Sequence, residues 1–206
     1  MDTVVIVDYG AGNLRSVAKA VERVGYRPWV TADARALASA RAVIVPGVGA
    51  AADTMRNLRE RGLVEPITRY IQAGRPFLGV CMGMQALFRF SEEGGGQECL
   101  GLVPGTVRRI TGELKVPHMG WNTVCQRRAH PIFAGIPNGA YFYFVHSFYA
   151  EPEDPDVVIG ETDYGGPLPA VIAADNVVAT QFHPEKSGEH GLRIYRNFLD
   201  HAFGAR

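Results

Sequence analysis

At 206 residues, with 47% hydrophobic and 20% charged side chains, the chain holds enough apolar material for the core of one domain, expected to span residues 1–206. Its 21 basic side chains balance 21 acidic ones with no run of like charge, which argues against a general electrostatic footprint for nucleic acid or an anionic membrane. Three cysteines, Cys81, Cys99 and Cys125, lack C-x-x-C spacing; this argues against a disulfide framework or zinc ribbon and suits a reducing compartment.

The first residues hold an acidic side chain, Asp2, and a short apolar run, Val4-Val5-Ile6-Val7. They lack the basic start and long apolar stretch of a signal peptide and read as a first strand. No apolar segment approaches the roughly eighteen residues of a membrane span, so a soluble, cytoplasmic protein is expected. Apolar runs at 4–7, 42–45 and 77–80 alternate with helical patterns at 14–24 and 55–71. That alternation predicts right-handed βαβ units and an α/β fold, with a central, mostly parallel sheet flanked by helices. The glycines at 94–96 are expected to end the last helix of this half and open a loop. Beyond them the apolar runs are short, β-branched or aromatic, and separated by Pro and Gly, at 107–110, 121–124, 141–148, 157–159, 170–173 and 177–182. These predict largely antiparallel strands added to the same domain. Leu192, Tyr195, Phe198, Leu199 and Ala202 then share one face of a predicted helix over 191–203.

Gly79-Val80-Cys81-Met82-Gly83 places a cysteine between an apolar strand and a helical pattern, with glycine two positions to each side. This is the cysteine form of a nucleophile elbow: the strand-to-helix turn is tight and leaves no room for side chains at the flanks. The free amides and dipole at the helix start favour thiolate there. Alone, Cys81 reads equally well as a buried core thiol. Cys99 and Cys125 lack the flanking glycines and read as structural.

A thiol nucleophile needs a base, and Gln181-Phe182-His183-Pro184-Glu185 offers one at a predicted strand end. Residues two apart on a strand share a face, so Glu185 can fix the His183 tautomer and stabilise imidazolium. Pro184 marks the end of the strand, where sites on open α/β sheets form. His118, His130, His146, His190 and His201 have no such company and take a structural reading by default.

The G-x-C-x-G and H-P-E elements resemble those of the class I, or triad, glutamine amidotransferases, and the resemblance covers nearly the whole chain. It implies that Cys81, His183 and Glu185 hydrolyse L-glutamine through a thioester. Pro46-Gly47-Val48-Gly49 resembles the family's oxyanion loop, implying that backbone at Val48, Gly49 and Met82 holds the oxyanion. Gly49, Gln85, Ser147 and Phe148 would then bind glutamine. The segments at 8–14, 115–122 and 143–149 are similar to the branch that supplies ammonia to an imidazole-forming cyclase in histidine biosynthesis. That likeness implies a heterodimer with a (β/α)8 cyclase subunit, contacted by Asn13, Trp121, Asn122, Tyr143 and Lys186, and low glutamine turnover until the partner docks. Gly10-Ala11-Gly12 lacks the remainder of a G-x-G-x-x-G fingerprint, so no nucleotide or other cofactor and no metal are expected. Three alternatives stay open: a glutaminase component of an anthranilate or aminodeoxychorismate type synthase, a catalytically silent binding module on the same fold, and an unrelated cysteine hydrolase.

Overall fold

The computed structural model describes residues 3–10 and 12–204. Asp2 and Ala11, the centre of the Gly10-Ala11-Gly12 motif, lie outside the described residues. The chain runs β1 (Val4–Val7), α1 (Leu14–Arg23), β2 (Pro28–Thr31), α2 (Ala34–Ser39), β3 (Ala42–Val45), α3 (Ala51–Glu60), α4 (Val64–Gln72), β4 (Phe77–Val80) and α5 (Met82–Gln85). It continues through β5 (Phe88–Ser91), β6 (Gln97–Glu98), β7 (Val103–Arg109), β8 (His118–Gln126), β9 (Ala140–His146), β10 (Phe148–Pro152), β11 (Val158–Asp163), β12 (Pro167–Ala174), β13 (Val177–Thr180) and α6 (Gly188–Phe203).

A nine-stranded sheet has the order β2-β1-β3-β4-β13-β12-β11-β8-β9. Its first five strands pair in parallel, and β12, β11, β8 and β9 extend it antiparallel. The near-continuous apolar sequences of β1, β3 and β4 follow from burial on both faces. Val4, Ile6, Ala42 and Ile44 point toward α1 and α6, where they meet Val17, Val21, Ile194, Tyr195 and Phe198. Val5, Val7, Val43 and Val45 point the other way, toward Leu37, Met55, Leu58 and Ile67 of α2, α3 and α4. Each fully buried Val, Leu, Ile, Phe or Met among them contributes about 1.5–3 kcal/mol. No helix among the described residues is long and apolar enough to cross a membrane.

Several boundaries differ from the sequence reading. The pattern at 55–71 is two helices, α3 and α4, separated at Gly62, whose φ of 63° takes the chain out of the helical region. The glycines at 94–96 do not end a helix: α5 stops at Gln85, and a second, four-stranded sheet of order β10-β7-β5-β6 intervenes. Within it β5 and β7 are parallel, an exception to the antiparallel expectation, as is β13 against β4. The run at 141–148 is not one strand. It breaks at Ser147, so that β9 lies on the edge of the large sheet while β10 pairs with β7 in the small one.

Candidate active site

The turns after β3, β4 and β13 emerge side by side, because those strands are neighbours and parallel. Open α/β sheets carry their sites at such carboxyl ends. Cys81 follows β4 directly, with φ 52° and ψ −106°, a region that non-glycine residues rarely occupy; holding it costs about 1–3 kcal/mol. Surrounding contacts impose this conformation. The Cys81 N–H donates to the Thr180 carbonyl of β13 at 2.7 Å, and the Cys81 carbonyl accepts from the Met84 and Gln85 amides at 2.9 and 3.1 Å. A Cβ on Gly79 would lie 2.7 Å from the Gly83 carbonyl oxygen, and one on Gly83 would strike the Val45 carbonyl. The two glycines flanking the cysteine are therefore sterically required, by each other and by β3.

His183 is 1% exposed, and its Nδ1 lies 2.8 Å from Glu185 Oε1. The pair does not meet as neighbours on a strand: β13 ends at Thr180, and Glu185 sits in a 3₁₀ turn over Pro184–Lys186 that begins after His183. The Glu185 carboxylate also accepts from the Asn13 amide and from the Tyr195 hydroxyl, the latter at 3.2 Å. These donors fix its orientation. Burial alone would depress the His183 pKa, but the Cys81 thiol and the Glu185 carboxylate outweigh it and raise the value to about 9. Nε2, the nitrogen that Glu185 does not hold, makes no hydrogen bond among the described residues, and Cys81 and His183 line the same cavity.

That cavity, about 280 Å³, is bounded by Val48, Gly49, Met82, Gln85, Glu93, Pro117 and residues 145–148 as well as Cys81 and His183. All of the sequence-expected oxyanion and glutamine positions therefore gather around the thiol. Gly49 has φ 101° with nothing within 4 Å of where a Cβ would stand, whereas a Cβ on Gly47 would collide with Met82 Cβ at 2.7 Å and with the Tyr9 hydroxyl. Gln85 is 3% exposed; its amide nitrogen donates to the Phe148 carbonyl and to Gln181 Oε1, both at 2.9 Å. Only its carbonyl oxygen remains for a ligand.

The five positions expected at a partner surface divide into two groups. Trp121, Tyr143 and Lys186 stand together: Trp121 meets Tyr143 edge-on at 6.1 Å, and Lys186 Nζ lies 5.9 Å over the Tyr143 ring. Met119, Trp121 and Tyr141 are all more than half exposed on the same β8–β9 ribbon. The amides of Asn13 and Asn122 are instead engaged within the chain, with Glu185 and with His118 and the Asp163 carbonyl respectively.

Three features escaped the sequence reading. Gln181 is fully buried and donates to Cys81 Sγ at 3.7 Å; a polar residue inside the apolar run of β13 and its extension was the available signal, since buried amides require partners. Glu93 lines the cavity and accepts from the Ala51 amide at 2.6 Å. Nothing local distinguishes it from Glu92, which pairs with Arg108. His146, assigned a structural role, also lines the cavity.

The family model Glutamine amidotransferase class-I matches residues 5–202. The chain is 49% identical over 201 residues to the imidazole glycerol phosphate synthase subunit HisH of Dehalococcoides mccartyi (strain CBDB1), covering 98% of each. It is 52% identical over 204 residues to the subunit of that name from Syntrophotalea carbinolica, covering 96% of this chain and 99% of the relative. Among solved structures, a crystal structure of a glutamine amidotransferase matches with a TM-score of 0.77 at 22% identity, covering 97% of this chain and 98% of that one. The structure of PurLQS from Thermotoga maritima matches with a TM-score of 0.73 at 18% identity, also covering 97% and 98%. At those identities the two structures share the fold.

Proposed function

Because the chain belongs to the class I glutamine amidotransferases, we propose that it is the glutaminase subunit of an imidazole glycerol phosphate synthase and that Cys81, His183 and Glu185 carry its chemistry. The observation that supports this most directly is a buried imidazole oriented by a carboxylate at 2.8 Å, sharing one cavity with a thiol on a strained elbow.

His183 takes the thiol proton, and the Cys81 sulfur attacks the glutamine carboxamide carbon. The oxyanion forms beside Val48, Gly49 and Met82, whose backbone amides are the donors in reach; such a donor is worth about 2.7–4 kcal/mol. The imidazolium protonates the departing nitrogen, the C–N bond breaks, and ammonia leaves a glutamyl thioester. Water, deprotonated by His183, then hydrolyses the thioester to glutamate and restores the thiol. Glu185 holds the imidazole throughout. At the amino-acid end, the Glu93 carboxylate and the Gln85 carbonyl oxygen match the substrate ammonium, and backbone at Ser147 and Phe148 closes the wall.

Ammonia must reach a second active site before water protonates it, so a partner docks close to His183. The ribbon carrying Met119, Trp121, Tyr141 and Tyr143, with Lys186 of the neighbouring 3₁₀ turn over the Tyr143 ring, suits this role: aromatic and cationic anchors are the residues that dominate interfaces. The Tyr143 carbonyl accepts directly from the His183 amide at 2.9 Å, so the ribbon adjoins the catalytic base. The partner is a (β/α)8 cyclase, and three free cysteines fit the cytoplasm.

Incubation with a glutamine-analogue alkylator, followed by peptide mass spectrometry, tests the catalytic reading. An adduct on Cys81 alone and loss of glutamine turnover are expected; labelling only at Cys99 or Cys125 with turnover intact would overturn it. Complementation of a histidine-requiring strain tests the pathway, since an anthranilate-type component would fail to restore growth.

A further inference from the structure

Two buried histidines join the outer strands to the cavity, which His146 lines. His118 and His146 are 3% and 6% exposed, and His118 Nδ1 lies 2.9 Å from His146 Nε2. His146 Nδ1 lies 2.8 Å from the Phe148 carbonyl oxygen. At the other end, Asn122 Nδ2 lies 3.2 Å from His118 Nε2. The His118 ring is stacked 4.8 Å from Phe144 and 4.0 Å from Tyr164, which fixes its plane.

The hydrogen positions follow by elimination. A carbonyl oxygen only accepts, so His146 Nδ1 carries a proton. Burial pushes the His146 pKa down to about 4, so the ring is neutral and its Nε2 presents a lone pair. His118 Nδ1 must then be the donor to it. Burial also lowers the His118 pKa, leaving its Nε2 as an acceptor, and Asn122 Nδ2 supplies the N–H. The Asn122 amide cannot turn over without loss, because its Oδ1 accepts from the Thr123 amide at 2.8 Å. Every donor in the series therefore points inward, from Asn122 to the Phe148 carbonyl. Gln85 donates to that same carbonyl, then to Gln181 Oε1, and Gln181 donates to the Cys81 sulfur.

We propose that Asn122, His118 and His146 are positioning residues that hold the Phe148 carbonyl, and through it Gln85, in the geometry that binds glutamine, making the β8 rim an input to the active site. The proposal rests on the glutaminase reading and adds to it a route for control. Trp121, adjacent to Asn122, projects from β8 with 55% exposure. Pressure on that residue shifts the strand that sets the first donor. If Asn122 loses its grip, both neutral rings can exchange tautomer, and His146 then turns a bare Nδ1 lone pair toward a carbonyl oxygen. The bond to Phe148 is lost while every residue keeps its proton count.

Two measurements on the full chain test this. In long-range ¹H–¹⁵N spectra of the imidazole-labelled protein near neutral pH, both His118 and His146 should be neutral Nδ1–H tautomers, the minor form in water; an Nε2–H form of His146 overturns the proposal whatever the kinetics. In glutamine turnover by the complex with its cyclase, His118→Phe preserves the stack and removes both hydrogen bonds. KM for glutamine should rise about tenfold, the equivalent of one hydrogen bond, with kcat changed less than about threefold. His118→Asn, whose amide replaces the Nδ1–H, should recover most of that loss. An unchanged KM in His118→Phe, or an Asn variant no better than the Phe variant, contradicts the proposal, because a purely structural role would lower the amount of folded enzyme without a selective change in KM. Should His118→Phe not fold, Asn122→Ala provides the same kinetic readout, with a rise in KM of about threefold, and no rise overturns the proposal. Wild-type complex that turns over no glutamine defeats the glutaminase reading and the assigned purpose of the series, whereas a correct turnover with the wrong tautomer defeats the series alone.

Discussion

The two loops that meet at the sulfur are built in opposite ways. The elbow at Cys81 is over-determined: Gly79, Gly83, Val45 and Thr180 leave its backbone one arrangement, including a positive φ that a cysteine does not choose. The loop after β3 is held at its ends, with the Ala51 amide bonded to Glu93, but not at its middle. Gly47 is packed against Met82 and the Tyr9 hydroxyl, but two residues later Gly49 stands in open space and Val48 is 37% exposed. Cys81 and the Met82 amide are thus fixed by the fold, whereas Val48 and Gly49, the other two proposed oxyanion donors, lie on a segment with fewer packed neighbours. The contrast suits the proposal that the thiol is held ready while the donors on the β3 loop respond to a partner.

The comparison can be broken most severely at the sulfur. Cys81→Ala and Cys81→Gly should both lower glutamine turnover by about 10⁴-fold or more, as removal of a nucleophile does. Only glycine, which has no Cβ, relieves the strain of the positive φ, so the urea midpoint of Cys81→Gly should equal or exceed that of Cys81→Ala. A lower midpoint in Cys81→Gly would show that the elbow is not strained. Next, Gly83→Ala drives a methyl group into the Val45 carbonyl and should cost about 1–3 kcal/mol of stability, as overpacking does, read by urea denaturation, with activity falling as the elbow shifts. Gly49→Ala should separate the loops: φ 101° disfavours alanine, but nothing is struck, so kcat should fall about tenfold or more, a share of one donor's contribution, with little change in Tm. Equal loss of Tm in the two glycine variants would remove the distinction.

A smaller effect concerns pH. The His183 pKa is raised from 6.5 to about 9 in the unliganded protein, so the imidazolium is present there below about pH 9, and kcat/KM, which reports the free enzyme, should decline above it. Glu185→Gln removes one of the raising interactions and should move this alkaline limb to lower pH. A group with a raised folded-state pKa stabilises the fold fully below its unfolded value and loses that contribution as pH rises. The wild-type urea midpoint should therefore fall between pH 6.5 and 9, and fall less in Glu185→Gln. An alkaline limb that does not move on substitution would detach Glu185 from the base.

The sequence made the parallel half legible because its strands are buried on both faces and its site motifs are local to turns. Cys81 with its two glycines is a complete steric statement in five residues. The edges were harder. β2, missed entirely, begins at Pro28 and leaves Trp29 44% and Val30 39% exposed, so it presents neither a buried run nor an alternation. β5 is four residues long with Arg89 and Phe90 both exposed between buried ends, so it shows no alternation either. At Ser147 an unbroken aromatic run conceals a change of sheet, because the backbone turns without a glycine or proline. Gln181, Glu93 and the His118–His146 pair share another reason: their partners lie on a neighbouring strand or in another loop, distant in sequence, and single-chain patterns carry no trace of such meetings. The H-P-E pair was found, but for a geometry the chain does not use, since a 3₁₀ turn rather than a strand brings the carboxylate to the ring.

The unequal exposure of the thiols has a practical corollary. Cys125 is exposed, Cys99 is partly covered and Cys81 is buried, so a general maleimide or disulfide reagent will consume Cys125 first and report a stoichiometry unrelated to the number of competent sites. Burial also pushes the Cys99 thiol up to about 11, which removes it from competition near neutrality. Counting functional molecules in a preparation therefore calls for a reagent that enters as substrate does, or for a Cys125→Ser background in which the first equivalent of label is the one that matters.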